Sequence, residues 1–367
     1  MYKINIFKII KSNLISFLII LQVYAKVVFV SDFLFQKIAF YSLIFACLVY
    51  ILISVKSINE ILIIIMSVML YIYFGNSMLI KLVLIILAVK NEDIIFLIKC
   101  HLFYSLMFYS STIVFELGLP SYLGTYYRDG FNSIVRNTMG FDNPNKPFLY
   151  LSTIIYSILF LINDKSKSIK FIFTITLLYW VIYVYSQTRS YTGLFVYTFL
   201  LITFFLYHSS FFIRINIEKL MLIFVPLLPL FLIIVSVVIP VYYHDNAFAN
   251  ALLTGRPYYW YHYLVEIPYS NYFFGGTVEY KHALDNSFIQ LIGGGGIILV
   301  SMFLVFYSSM FKKILKRNNL SVCIILVFLL VYATSETFLF EPGLNITLYW
   351  LLYYSRSLNF ENISRSS

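Results

Sequence analysis

Charge is scarce in this sequence. Only 11% of its 367 residues are Asp, Glu, Lys or Arg, against 61% hydrophobic residues and a mean hydropathy of +0.87. A soluble domain carries about 25% charged residues, so this chain has too few to cover a water-facing surface. Cysteine is scarce as well. Cys47, Cys100 and Cys323 all fall inside apolar runs and read as small core residues, with nothing to suggest an external disulfide or a metal cluster. Also missing are a Walker-type glycine loop, a dinucleotide fingerprint, an HExxH pair and an external DxD-like pair. ATP-driven transport, zinc proteolysis and a metal-held sugar nucleotide therefore lack support, and neither a cofactor nor a metal is expected.

What the chain does have is long apolar runs from end to end. In lipid each helix satisfies its own backbone hydrogen bonds, so the expected fold is an all-α polytopic integral membrane protein, one transmembrane domain over 1–367. The runs predict about twelve spans. They lie near 12–30, 38–55, 61–75, 77–90, 94–115, 148–163, 169–187, 190–208, 219–241, 286–311, 319–338 and 343–355. Runs 61–75 and 77–90 are short and meet at Gly75-Asn76, so a re-entrant pair is the alternative there. Met1–Ala25 looks superficially like a signal peptide, but Val23-Tyr24-Ala25 is a loose cleavage match and it reads as a retained first span.

Lys and Arg in the connections give an orientation. The lysine-rich set, including NDKSKSIK and KKILKRNN, reads as cytoplasmic together with both termini. The opposite side holds Lys37, Arg128, Arg136, Lys146, Arg189, Arg256 and Lys281, whereas Lys26, Lys81 and Lys99 fall within spans. The +10 net charge is thus mostly a membrane-orientation signature and needs no nucleic acid. Two long connections, 116–147 and 242–285, are expected outside, the second with a short interfacial helix.

Arginine is over-represented on that outer side. Its planar fork grips phosphate oxygens at two points and never deprotonates, so Arg128, Arg136, Arg189 and Arg256 suit an anionic headgroup. The plain alternative is snorkelling to lipid phosphate or pairing with an acid such as Asp129. Arg189 stands out because "QTRSYTG" is a very short link between apolar spans, where a charge is costly. In "TGRPYYWYHYLVEIPYSNYFFGG", Pro257 and Pro268 bracket a helix over 257–266 with Arg256 at its N-cap, where free N–H groups would add to the guanidinium. Tyr259, His262 and Glu266 then share one side, while Trp260 and Tyr261 face elsewhere, towards a headgroup layer. In "KHALDNSFIQLIGGGG", His282 and Asp285 lie three apart, and either is a candidate base for a sugar hydroxyl. Asp285 or Asn286 also suits the cap of the following span. Gly293–Gly296 permit close helix approach or a local break.

These segments resemble a family. "RNTMGFDNPN" at 136–145 is similar to the Arg…Gly-Phe-x-x-Pro-Asn signature of bacterial O-antigen and capsule polymerases of the Wzy type, and "TRS" at 188–190 to their short arginine motif. "TGR" at 254–256, Trp260, Phe274-Gly275-Gly276 and "DNSFIQLIGGGGII" resemble the second-loop pattern. In order and sidedness the resemblance covers nearly the whole chain. It implies a GT-C-like membrane glycosyltransferase, inverting and metal-independent, in the bacterial cytoplasmic membrane with its active site outside. Undecaprenyl-pyrophosphate-linked repeat units would be its substrates, membrane lipids its surroundings and a chain-length regulator a further partner. Arg189 and Arg256 would serve the donor pyrophosphate, Arg136 a second phosphate or loop positioning, and Asp285 or His282 the acceptor hydroxyl. Arg128, Asn145, Tyr259, His262 and Glu266 complete the expected binding set. The related ligases carry His where Asp285 stands, which favours a polymerase. A ligase, or a flippase for lipid-linked sugars, is the alternative.

Overall fold

The computed structural model describes residues 6–28, 33–54, 57–75, 77–118, 125–128, 134–209, 223–278, 280, 284–350 and 352–354. It is nearly all-α. Its helices begin with α1 (Ile6–Val28), α2 (Phe33–Ser54), α3 (Ile58–Phe74), α4 (Ser77–Val89) and α5 (Ile94–Gly118). A two-stranded antiparallel hairpin follows, β1 (Thr125–Arg128) and β2 (Ile134–Asn137), pairing Thr125 with Asn137 and Arg128 with Ile134. Then come α6 (Lys146–Ile162), α7 (Lys167–Thr188), α8 (Tyr191–His208) and α9 (Leu228–Tyr243). The remainder holds α10 (Ala247–Leu252), α11 (Arg256–Glu266), α12 (Tyr269–Phe274), α13 (Ser287–Gln290), a π turn at Leu291–Gly295, α14 (Gly296–Lys316) and α15 (Leu320–Tyr332).

Among the described residues, 7 helical stretches are long and apolar enough to cross a membrane: Phe7–Lys26, Phe33–Ile53, Ile94–Val114, Lys167–Thr188, Tyr191–His208, Val225–Tyr243 and Ser287–Lys316. Helices α3, α4, α6 and α15 are apolar but shorter. The predicted last run, 343–355, begins with a turn over 342–344, and its described helical residues are 347–350 and 352–354. Asn345 breaks it: its Oδ1 accepts from the Thr347 N–H at 3.1 Å, offering the backbone a local alternative to helix. The run predicted over 319–338 is helical only to Tyr332. Beyond it the Ser287 hydroxyl accepts from the Phe338 and Leu339 N–H groups at 2.9 and 3.3 Å and donates to the Glu336 carbonyl, taking over backbone groups that a helix would use.

The fold groups into two compact units. The first comprises Met1–Ser54, Ala88–Ile213 and Glu341–Tyr353. In it α1 packs on α2 and α5, α5 on α6, and α7 on α8. Tyr24 and Tyr150 meet edge to face at 4.5 Å, and the Tyr150 hydroxyl donates to the Val23 carbonyl at 2.9 Å. Lys11, expected in a cytoplasmic connection, is instead buried inside α1 and paired with buried Glu92 at 2.8 Å. Lys26, at the end of α1, reaches Glu341 at 3.0 Å. Both pairs obey the rule that a charge among apolar helices needs a partner. Helix α7 buries Thr174, Leu177, Val181 and Val184 yet exposes Phe171, Ile172, Ile175 and Ile182 on its other faces. A helix apolar all round and half uncovered suits lipid, not water.

The second unit comprises Val55–Leu87, Arg214–Phe340 and Tyr354–Ser367. Helix α3 stops at Gly75, whose φ of 69° lets its N–H return to the Leu70 and Tyr71 carbonyls. Phe74 then stacks on Phe274 at 4.5 Å. The glycine run answers to both of its predicted uses. Gly296 (φ 64°) breaks the helix between the π turn and α14, and a Cβ there would meet backbone of Phe273 and Gly275. At Gly293 a Cβ would lie 2.8 Å from the Tyr263 hydroxyl of α11. Small residues therefore seat the second long connection against the broken helix, and the Gly276 N–H bonds the Gly294 carbonyl at 3.1 Å.

Candidate functional site

The helix expected after "TGR" exists, shifted by one residue. Gly255 (φ 77°) is the N-cap of α11, Arg256 its first residue and Pro257 its second. The expected bank of free N–H groups at this helix start is absent, which corrects the reading of a backbone anion site. Arg256 N–H donates to the Leu253 carbonyl at 3.2 Å, Pro257 has no N–H, and Tyr258 N–H donates to the Asn250 side chain at 3.2 Å. Asn250 sits in α10, a turn capped by Asn246. What remains for chemistry at this point is the Arg256 side chain.

That side chain lies between two carboxylates. Arg256 Nη2 is 3.8 Å from Asp285 Oδ2 and 3.9 Å from Glu336 Oε1. The three side chains are 16%, 33% and 5% exposed, so the cluster runs from a buried acid to a half-open one. Both separations exceed the 2.7–2.9 Å of a charge-assisted hydrogen bond, so these two pairings are electrostatic contacts, not a bidentate clamp. The sequence leaves the capping residue of the next helix open between Asp285 and Asn286, and the structure gives it to Asn286. Its Oδ1 accepts from the Phe288 and Ile289 N–H groups at 2.9 and 3.1 Å, and its Nδ2 donates to Ser236 Oγ at 3.3 Å. Asp285 is thereby spared capping duty and faces Arg256.

The chain matches no protein-family model, no curated protein and no solved structure. The functional reading thus stands on residues and geometry.

Helix α11 is seated by Trp260, Tyr263 and Ile267, which pack with Ile289. Trp260, which the sequence turns towards a headgroup layer, is buried instead, and Tyr261 stacks on His244 at 3.7 Å. The row Tyr259, His262 and Glu266 lies one position round from this buried stripe, as helical spacing requires. Tyr259 accepts at its carbonyl from the Tyr280 hydroxyl, His262 meets Tyr258 edge to face at 4.3 Å, and Glu266 is exposed. Burial pushes the Tyr263 hydroxyl up to about 12. It does the same for Tyr280, helped by the charge of Glu266, also to about 12. Both therefore act as hydrogen-bonding groups and not as phenolates. His282 lies outside the described residues. Among the described residues no group of three or more His, Cys, Asp and Glu is placed to hold a metal.

Arg128, Arg136 and Arg189 belong to the first unit. Arg136, on β2, donates from Nε to the Thr188 carbonyl at 2.8 Å and from Nη2 to Asn145 Oδ1 at 2.7 Å. It ties the first long connection to the end of α7, so of its two expected roles the geometry favours loop positioning. Asn145 stands at the N-cap of α6, but its side chain serves Arg136 and makes no cap bond. Arg189 ends α7 in the left-handed region (φ 52°), exposed, with its guanidinium 5.8 Å from the Tyr185 ring. Arg128 closes β1 opposite Ile134. The sequence reading missed Glu336, Ser287 and Asn250. An acid inside the apolar run 319–338 was the available signal for Glu336.

Proposed function

We infer that this membrane-embedded protein is a glycosyltransferase of the polysaccharide-polymerase type. It transfers a growing glycan from undecaprenyl pyrophosphate to the non-reducing end of an incoming lipid-linked repeat unit, at the outer face of a bacterial cytoplasmic membrane. The observation that supports it is the Arg256–Asp285–Glu336 cluster, a guanidinium beside a half-open carboxylate at the start of α11. Inverting transfer asks for those two groups. The carboxylate of Asp285 takes the proton as the acceptor hydroxyl oxygen attacks the anomeric carbon. The anomeric C–O bond to pyrophosphate breaks, and its electron pair leaves on the lipid diphosphate, whose charge the Arg256 guanidinium stabilises. Glu336 orients Arg256 from the buried side.

The test uses purified full-length protein and a defined lipid-linked repeat unit. Arg256→Lys and Asp285→Asn should each lower polymer formation by about 10²–10³-fold while the protein still enters the membrane. Full activity in Arg256→Lys removes the diphosphate role. In a deletion strain, single repeat units left on lipid and exposed outside support a polymerase; units trapped inside point to a flippase.

A further inference from the structure

A second site lies on the first unit, between α7 and α8. Lys167, Lys170, Phe171, Ile172, Phe205 and His208 help line an open groove of about 460 Å³. Its two ends differ in chemistry. The floor and walls are apolar: Phe204 is fully buried, and Phe171 and Phe205 meet at 5.5 Å with both rings partly uncovered. The mouth carries Lys167 and Lys170 with the Ser168 and Ser209 hydroxyls. Lys170 Nζ lies 3.3 Å from His208 Nδ1, so the imidazole accepts from the ammonium and holds it at the rim. His208 itself is braced edge to face on Phe204 at 4.6 Å. Asp164, near the start of α7, is the acid nearest in sequence to these lysines; its charge acts on Lys170 from outside the groove lining.

We propose that this groove binds one anionic phospholipid, its phosphate on Lys167 and Lys170 and an acyl chain along Phe171, Ile172 and Phe205. Charge complementarity selects the headgroup, since basic pockets between membrane helices attract anionic lipid. The apolar wall selects a lipid over free phosphate, because a soluble anion gains nothing from phenylalanine. The volume suits a small-molecule site. This site is separate from the glycosyl-transfer chemistry and does not depend on it.

The experiment measures retention of fluorescent phosphatidylglycerol by full-length protein in zwitterionic detergent. Two lysines near a headgroup predict roughly thirty-fold weaker binding in the double variant Lys167→Gln, Lys170→Gln. The control Lys312→Gln, Lys313→Gln removes the same charge from α14 and should bind as the parent does. Phe205→Ala should weaken retention without touching charge. Equal loss in both lysine pairs would overturn the site in favour of diffuse attraction. Parent-like binding in the first pair, equal retention of phosphatidylcholine, or displacement by millimolar inorganic phosphate would each overturn it too.

Discussion

Adding one methyl group at Gly293 tests how the candidate site is held. The Cβ of Gly293→Ala would stand 2.8 Å from the Tyr263 hydroxyl, 3.0 Å from its ring carbon Cε1 and 3.1 Å from Ile267 Cδ1. Ordinary contact begins at 3.4 Å, so α11 or the π turn has to retreat by more than half an ångström. Tyr263 cannot simply swing aside, because it is buried and packed edge to face on Tyr280 at 5.3 Å. Overpacking of this kind costs about 1–3 kcal/mol. At about 2–4 °C per kcal/mol for a domain of 150–250 residues, the melting midpoint should fall by several degrees. Arg256 rides on the moving helix, and a misplacement of about 1 Å costs on the order of 100-fold in rate. The assay is thermal unfolding in detergent alongside polymer synthesis, on Gly293→Ala, Tyr263→Phe and the double variant. Tyr263→Phe removes the nearest clashing atom but leaves Cε1, so the double variant should recover part of the loss, a non-additivity that a mutant cycle reads directly. An unchanged midpoint in Gly293→Ala, or strict additivity in the cycle, would refute the seating of α11 on the glycine run.

Three further outcomes are expected. Asn286→Ala should lower stability by about 1 kcal/mol or more, since it removes a cap that accepts two N–H bonds, whereas Asp285→Asn should leave the melting midpoint nearly unchanged; equal losses would return capping to Asp285. Arg136→Lys should cost about 1–3 kcal/mol, because one ammonium cannot serve both the Thr188 carbonyl and Asn145. Parent-like unfolding of that variant would remove the tie. Burial raises the Asp142 carboxyl above its usual value, with Lys146 opposing in part. A folded pKa above the unfolded one means that its stability contribution is present at low pH and lost as pH rises through the folded value. Asp142→Asn should therefore melt above the parent at pH 7, the gap closing towards about pH 4; a gap that widens on acidification contradicts the burial.

Much of the helix pattern is legible in the order of residues. The start and end of α7 and α8 fall within a few positions of the apolar runs, because a span has to be apolar whatever it packs against. Gly255-Arg256-Pro257 announces a helix start for equally local reasons. The pairing of 125–128 with 134–137 has no sequence signal, since short strands inside a connection leave no strong period. The stop of α15 at Tyr332 is invisible too. The backbone beyond it bonds a serine hydroxyl some fifty residues earlier.

The same division holds for the candidate site. Composition alone determined that this is a chain for lipid: too few charges to face water, and apolar runs that can satisfy their backbones only as helices. Arginine in place of lysine in the connections marked residues suited to phosphate, again from side-chain chemistry. Which carboxylate caps and which faces Arg256, whether α11 offers free N–H groups, and that Glu336 joins the cluster were decided only by tertiary structure. Hydrogen-bond partners and ion pairs between distant segments depend on how helices pack, and packing leaves no trace in the spacing along one strand of sequence.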